Sequence, residues 1–167
     1  MHSRRSFVRH SIALVLPVVL ATACGSDSAP TDPIPPAGAA PSTPATDTYA
    51  AKLGVNIPQM TRKSDALYIQ DLVVGTGAEA TAGKVLRMTY TGWFTNGTTF
   101  DSNVGGSPFQ FTLGARQVID GWDLGIVGMR VGGKRRLVIG SSLAYGTSGF
   151  LAIPPNVTLV FDVDLVG

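Results

Sequence analysis

The chain has 167 residues, 44% of them hydrophobic, which is enough for one folded domain with additional segments. The formal net charge is only +2, and three of the thirteen basic residues, Arg4, Arg5 and Arg9, lie within the first ten positions. Without these three the net charge is −1, which argues against a nucleic-acid-binding protein.

The first segment of the chain has the layout of an export signal. Basic residues are followed by an apolar run from Ile12 to Ala21 and then by small residues before Cys24. The run is shorter than the roughly 20 apolar residues that span a bilayer, and Pro17 interrupts it. We therefore predict a signal peptide over residues 1–23, with a membrane-anchor helix as the alternative.

Two short patterns refine this prediction. The sequence "ATAC" resembles the lipobox of bacterial lipoproteins, although Ala21 stands where a leucine is usual; the resemblance implies that Cys24 is lipidated. The sequence "SRRSFVR" resembles the twin-arginine export signal, with an ordinary Sec signal as the alternative. We expect an exported protein that is lipid-anchored to a bacterial membrane and faces the periplasm or the exterior.

After Cys24 the composition shifts to proline, alanine, serine, threonine and aspartate. This segment has too few apolar residues to offset the entropy of ordering, which predicts a disordered tether over residues 24–60. Its last part, "TYAAKLGVNIPQM", either continues the tether or docks on the domain. The domain itself is predicted over residues 61–167.

Within the domain, three segments alternate apolar and polar residues, as half-buried strands do: "VLRMTYTGWF", "PFQFTL" and "NVTLVFDVDLVG". The segments "LYIQDLVVG" and "KRRLVIG" are shorter strand candidates, so about five strands are predicted. The residues expected on the core face are Leu86, Met88, Tyr90, Phe109, Phe111, Leu113, Val157, Leu159, Phe161, Val163 and Leu165.

One segment has helical spacing instead. In "RQVIDGWDLGIVGM", Val118, Trp122 and Ile126 are four residues apart. Gly121 and Gly125 are poor helix formers, so burial must hold this helix, and the glycines let another backbone come close. The predicted fold class is α+β, with a mostly antiparallel sheet wrapped across one short helix. The basic run in "GGKRRL" is expected to be exposed, and Asp162 and Asp164 to be solvated.

The predicted domain over residues 61–167 contains no histidine and no cysteine. Both histidines precede residue 11 and Cys24 is the only cysteine, which excludes Ser-His-Asp and Cys-His catalysis and the usual zinc or copper sites in residues 61–167. No phosphate-binding glycine motif followed by the required elements occurs. We therefore expect neither a metal nor a cofactor.

Four blocks of sequence, in this order, resemble the FKBP-type peptidyl-prolyl isomerases: "MTYTGWFTNGTTFDS", "PFQFTLGARQVIDGWDLGIVGMRVGGKRRLVI", "LAYG" and "IPPNVTLVFDVDL". The resemblance covers about residues 66–167. It implies the FKBP fold and catalysis of rotation about X-Pro bonds in exported proteins. It also implies proline-containing polypeptides as partners and macrolides as inhibitors. We expect a monomer.

The resemblance also implies a site. Trp122 would form the floor under the proline ring, the Ile119 N–H and the Tyr145 hydroxyl would bind substrate carbonyls, and Asp101 would be the polar group near the twisting bond. The remaining residues implied to contact substrate are Tyr90, Phe100, Phe109, Phe111, Val118, Ile153 and Phe161. For Phe111, Val118 and Phe161, a plain core role is the alternative.

Two loops depart from the family pattern. The loop "NVGGS" supplies no arginine to pair with Asp101, and Phe150 stands where a histidine-proline pair is frequent. The departures leave substrate preference and macrolide affinity open. A non-catalytic module that binds proline-containing partners or apolar ligands is the alternative function.

Overall fold

The computed structural model describes residues 41–167, so the predicted signal peptide and Cys24 lie outside the described residues. The described part contains seven strands and one α-helix, α1 (Asp120–Gly125). The strands are β1 (Thr61–Ser64), β2 (Leu67–Val73), β3 (Val85–Phe94), β4 (Thr99–Ser102), β5 (Phe109–Thr112), β6 (Lys134–Ile139) and β7 (Leu159–Leu165). Short 3-10 turns occupy Ala51–Leu53, Ile57–Gln59 and Ser141–Leu143.

All strands belong to one antiparallel sheet in the order β1-β2-β6-β7-β3-β4, with β5 also paired to β3. The predicted α+β class with one short helix is confirmed, but the predicted count of about five strands is wrong. The two missed strands, β1 and β4, have only four residues each, and β1 is fully exposed. Such short strands carry no readable apolar alternation.

The inner face of the sheet forms the main core around α1. As predicted, alternate residues of β3 and β7, such as Met88 and Val163, are fully buried on this face. The two helix glycines permit close packing: an added Cβ would lie 2.4 Å from Ile139 Cγ2 at Gly121 and 2.9 Å from Leu137 Cδ2 at Gly125. The predicted close approach is therefore made by side chains of β6 and not by a backbone.

The outer face is covered by residues 42–60, which we call the N-terminal strap. Leu53 and Met60 of the strap pack against Val138 and Val160, which are fully buried on this face. The predicted tether over 24–60 is therefore too long at its C-terminal end. The alternative, a docking segment, is correct for "TYAAKLGVNIPQM", because its few apolar residues meet a second apolar face of β6 and β7.

The start of the strap is tied to the domain by polar contacts. The Ser42 N–H donates to the Asn156 carbonyl at 3.3 Å, and the Ser42 and Thr158 hydroxyls are 3.0 Å apart. Asp47 lies beside them with one buried carboxylate oxygen that has no hydrogen-bond partner in the described residues. Burial raises the pKa of Asp47, and a hydrogen bond with Thr158 offsets part of the rise.

The basic run of β6 was predicted to be an exposed strand start, and this prediction is wrong. Arg135 is only 6% exposed and donates to the Asp71 carboxylate at 2.6 and 3.1 Å. It also donates to the carbonyls of Gly125 and Val127 at 2.8 and 3.1 Å, which satisfies acceptors at the C-terminal end of α1. Arg135 thus joins the helix to β2 and β6.

Arg136 faces the other side of the sheet. It forms a two-point ion pair with Asp162 of β7 at 2.7 and 2.8 Å, and both side chains are largely buried. Arg136 also donates to the Leu53 carbonyl and so ties the strap to the sheet. The prediction that Asp162 is solvated is therefore wrong, since the strap covers this ion pair.

No helix among the residues from 41 onward has the length and apolar character needed to cross a membrane.

Candidate active site

Trp122 lies at the centre of an aromatic cluster formed by α1, β3, β5 and β7. Its side chain is 5% exposed, and its ring makes edge-on contacts with Tyr90 at 5.1 Å and Phe161 at 5.5 Å between centroids. Phe111 and Phe109 follow at 5.9 and 6.4 Å. Such crossed arrangements suit the quadrupoles of aromatic rings. The structure thus brings together five of the residues implied by the resemblance.

The buried indole N–H of Trp122 has no hydrogen-bond acceptor in the described part of the chain. It is enclosed by the aromatic rings around it, which makes the base of the cluster apolar. Phe111 and Phe161 are almost fully buried, so each belongs to the core as well as to the cluster. Tyr90 and Phe109 are half-buried and form the accessible part of the wall.

Phe100 of β4 extends the wall. Its ring is perpendicular to that of Phe161 at 5.5 Å and contacts Phe94 at 5.1 Å. Gly92 of β3 makes this possible, because an added Cβ there would lie 2.6 Å from Phe100 Cζ. Sequence reasoning missed both Phe94 and Gly92. The alternation in β3 contained the signal, since Phe94 follows Tyr90 and Gly92 on the same face.

Asp101 supplies the carboxylate next to the aromatic wall. The Tyr90 hydroxyl donates to its Oδ2 at 2.5 Å, so the carboxylate has a tyrosine as its hydrogen-bond partner. Burial, followed by the hydrogen bond with Asp101, raises the pKa of Tyr90 above its usual value. Burial and the charge of Asp101 also raise the pKa of Tyr145. Both phenols therefore keep their protons at neutral pH, and each is able to donate a hydrogen bond.

Asn103 holds the loop between β4 and β5 and was not predicted as a site residue. Its Oδ1 accepts from the Tyr90 N–H at 2.7 Å, and its Nδ2 donates to the carbonyls of Met88 and Ser107 at 3.1 and 3.3 Å. Asn103 thereby fixes the loop "NVGGS" to β3, beside Asp101. An asparagine after a short polar strand is a weak signal that was available in the sequence.

Ile119 directly precedes α1 with an extended backbone (φ −62°, ψ 148°), and its carbonyl accepts the first hydrogen bonds of the helix. The Ile119 N–H donates to no acceptor within residues 41–167. Asp123 fixes the approach to the helix by accepting from the Gly114 and Arg116 N–H groups at 2.8 and 3.1 Å. Val118 and Ile119 are half-buried against the core. The arrangement leaves one backbone donor available beside the cluster.

Tyr145 begins the last wall of the site, which continues into residues 146–156, here called the rim loop. The loop is closed by hydrogen bonds from Gly149 N–H to the Tyr145 carbonyl at 3.1 Å and from Asn156 N–H to the Gly146 carbonyl at 2.8 Å. Ile153 is half-buried and packs against the main core. Ten of the eleven residues implied by the resemblance thus pack in or against the main core, and the eleventh, Asp101, is bonded to Tyr90.

The chemistry available in this site is limited. In the part of the chain that the structure covers, no three His, Cys, Asp or Glu side chains are grouped closely enough to hold a metal ion. The site instead offers aromatic and aliphatic walls, one carboxylate, one hydroxyl and one backbone N–H. Such a set can bind an apolar ring and position a neighbouring amide.

The chain is similar to known proteins in both sequence and fold. Residues 77–166 match the family model of the FKBP-type peptidyl-prolyl cis-trans isomerases. FK506-binding protein 4 of Dictyostelium discoideum is 54% identical over 101 residues, covering 60% of this chain and 28% of its own length. The FK506-binding protein of Neisseria meningitidis is 50% identical over 103 residues, covering 60% of this chain and 94% of its own.

The fold agrees with these matches. The crystal structure of AtFKBP13 superimposes with a TM-score of 0.60 at 38% identity, covering 65% of this chain and 98% of that one. The antiparallel sheet and the single short helix described above are thus an FKBP-like fold. Because the family model matches residues 77–166 and the Neisseria relative is matched over 94% of its length, the chain belongs to the FKBP-type peptidyl-prolyl cis-trans isomerase family.

Proposed function

We propose that this domain catalyses cis-trans isomerisation of X-Pro peptide bonds in proline-containing polypeptides. The observation that carries the proposal is the buried Trp122 ring, surrounded by aromatic side chains and flanked by a few hydrogen-bonding groups. Family membership supports it. The chain matches only 28% of the length of the Dictyostelium relative, so the activity of that larger protein is not transferred as a whole.

The reaction explains why the site needs no nucleophile. Rotation about the C–N bond breaks no covalent bond, but loss of amide resonance imposes a barrier of about 18–20 kcal/mol. The planar amide is more polar than the twisted one. An apolar pocket that excludes water therefore disfavours the planar ground state relative to the transition state. A ten-thousandfold acceleration would require about 5.5 kcal/mol of such differential stabilisation.

Each group then has a distinct role. The Trp122 ring supports the proline ring, while the Ile119 N–H and the protonated Tyr145 hydroxyl donate to substrate carbonyls. Asp101, held by the Tyr90 hydroxyl, is the charged group beside the twisting bond. These donors fix the substrate backbone on both sides of the proline, so that only the X-Pro bond rotates.

The second tryptophan provides a matched control for testing the site. Trp93 follows Gly92 on β3. It packs on the outer face of the sheet, against the cluster that contains Leu53 and Val160 and away from Trp122. Turnover of an X-Pro tetrapeptide by the full-length chain should be measured by exchange NMR. Trp122→Leu should abolish most of the activity, whereas Trp93→Leu should lower stability and retain the activity.

The result can distinguish the alternatives. Full activity in Trp122→Leu would show that the site lies elsewhere. Binding of a proline peptide without turnover by the wild-type chain would identify a non-catalytic module. Titration with the macrolide FK506 tests inhibitor binding in the same pocket, because two relatives are named for that ligand.

For the location and clients of the protein, we propose that it is a monomeric, exported lipoprotein whose clients are exported polypeptides. The support is the segment before residue 41: a basic start, a short apolar run and the "ATAC" sequence at Cys24. Cys24→Ser should release the protein from the membrane fraction, and unchanged fractionation would exclude the lipid. Replacing Arg4 and Arg5 with lysine should block export if the twin-arginine route is used.

A further inference from the structure

The Tyr145 hydroxyl forms no hydrogen bond with another group of the described chain, unlike the Tyr90 hydroxyl, which is held by Asp101. The orientation of Tyr145 therefore depends on how its ring packs. A tyrosine that must present its hydroxyl to a substrate carbonyl needs a fixed ring, since other χ1 rotamers would direct the hydroxyl away. The contacts of this ring thus bear directly on the proposed reaction.

The Tyr145 ring packs partly against the main core, and Phe150 of the rim loop adds a stacked aromatic contact. The rings of Tyr145 and Phe150 are nearly parallel, with an interplanar angle of 11° and centroids 5.4 Å apart. Phe150 is 46% exposed, so burial in the core does not account for its position. Its ring is stacked on one face of Tyr145.

The backbone of the rim loop holds Phe150 in a demanding conformation. Phe150 and Ile153 exchange two backbone hydrogen bonds, 2.9 and 2.8 Å long, which close a two-residue turn. Leu151 in this turn has φ +50°, a value that β-turns normally reserve for glycine or asparagine. Gly149 is also left-handed, and an added Cβ there would lie 2.4 Å from the Ile153 carbonyl oxygen. Strain of this kind persists where the surrounding structure imposes it, and it frequently accompanies function.

We propose that Phe150 is a positioning residue, whose ring fixes Tyr145 in the orientation that presents its hydroxyl to the substrate. The inference rests on the proposed isomerase function. It assigns a role to the residue at which this chain departs from the family pattern. Because a well-packed aromatic pair is worth about a 3- to 10-fold change in population, loss of Phe150 should lower kcat/KM by that factor.

A double-mutant cycle on the full-length chain tests this role. We expect Phe150→Ala to reduce kcat/KM for an X-Pro tetrapeptide by about 3- to 10-fold. Phe150→Tyr keeps the ring and should retain the wild-type kcat/KM. In a Tyr145→Phe background the hydroxyl is already absent, so Phe150→Ala should have an effect of less than about twofold. Leu151→Gly keeps both rings and permits the same φ, so it should behave like wild type.

A second measurement does not require turnover. The Hα–Hβ couplings of Tyr145, measured by NMR, should report one χ1 rotamer in the wild type and rotamer averaging in Phe150→Ala. An equal loss of kcat/KM in both Tyr145 backgrounds, or an unchanged Tyr145 rotamer in Phe150→Ala, would overturn the proposal. A wild-type chain without isomerase activity would instead contradict the proposed function, while the couplings would still decide whether Phe150 fixes the ring.

Discussion

Leu53 offers a direct test of whether the strap belongs to the folded domain. Its side chain is 5% exposed and fills the space between the strap and the outer face of β6 and β7. Its carbonyl binds Arg136, and substitution of the side chain leaves that backbone contact available. Leu53→Ala therefore removes packing alone.

The size of the effect follows from the site. Leucine-to-alanine changes in cores cost about 2–5 kcal/mol, and the larger values require a cavity that cannot collapse. The strap is a single layer of chain and can settle into the gap, so we expect about 2–3 kcal/mol in the free energy of unfolding. For a domain of this size that corresponds to a fall in Tm of about 6–12 °C.

Thermal and urea unfolding of the full-length chain, followed by circular dichroism, would measure this change. Val74→Ala is the control, because Val74 is 75% exposed and its loss should alter stability by less than about 0.5 kcal/mol. Activity well below the Tm should be retained in Leu53→Ala, since the strap covers the face of the sheet opposite to Trp122. If the two variants unfold alike, the strap does not pack as described.

Three further predictions concern packing and pH. Gly121→Ala should destabilise the domain by about 1–3 kcal/mol in urea unfolding, because its Cβ would lie 2.4 Å from Ile139 Cγ2, and unchanged stability would contradict this close packing. The raised pKa of Asp47 means that its protonated form favours folding, so stability is present below the unfolded pKa of about 3.9 and is lost as the pH rises through the folded value. Asp47→Asn should consequently raise the Tm at pH 7 more than at pH 3, and an equal rise at both would contradict this account. Isomerase kcat/KM should be flat from about pH 5.5 to 9, because Tyr90 and Tyr145 have raised pKa values and stay protonated; a bell-shaped profile would indicate proton transfer.

Much of the inner half of the domain was predictable from the sequence. The alternation in β3 and β7 and the four-residue spacing around Trp122 each have one apolar face, so periodicity identifies both the elements and their buried sides. The aromatic cluster was implied only through the family resemblance, because spacing along the chain does not show which strands are neighbours.

The packing on the outer face of the sheet could not be predicted, and the reason is different. The outer face of the sheet is covered by the strap, and the strap has too few apolar residues to predict that it packs on a hydrophobic surface. Val160 interrupts the apolar-polar alternation of β7, but the sequence does not show which segment covers it. Arg135, Arg136 and Asp162 are charged residues that are largely buried in ion pairs, and the sequence does not show which charged residues form such pairs. Phe150 contacts Tyr145 through a turn that its sequence, with Leu151 at positive φ, does not suggest.

The position of β7 has a consequence for how the protein is made. This strand comes last in the chain order yet lies in the middle of the sheet, between β6 and β3. The strands on one side, β1, β2 and β6, have no direct pairing with β3, β4 and β5, and only β7 joins the two groups. A nascent chain therefore has to wait for residues 159–165 before its sheet can close. Closure of the sheet depends on contacts between distant parts of the sequence, which are slow to form. An unfinished chain would leave open strand edges, and such edges promote aggregation.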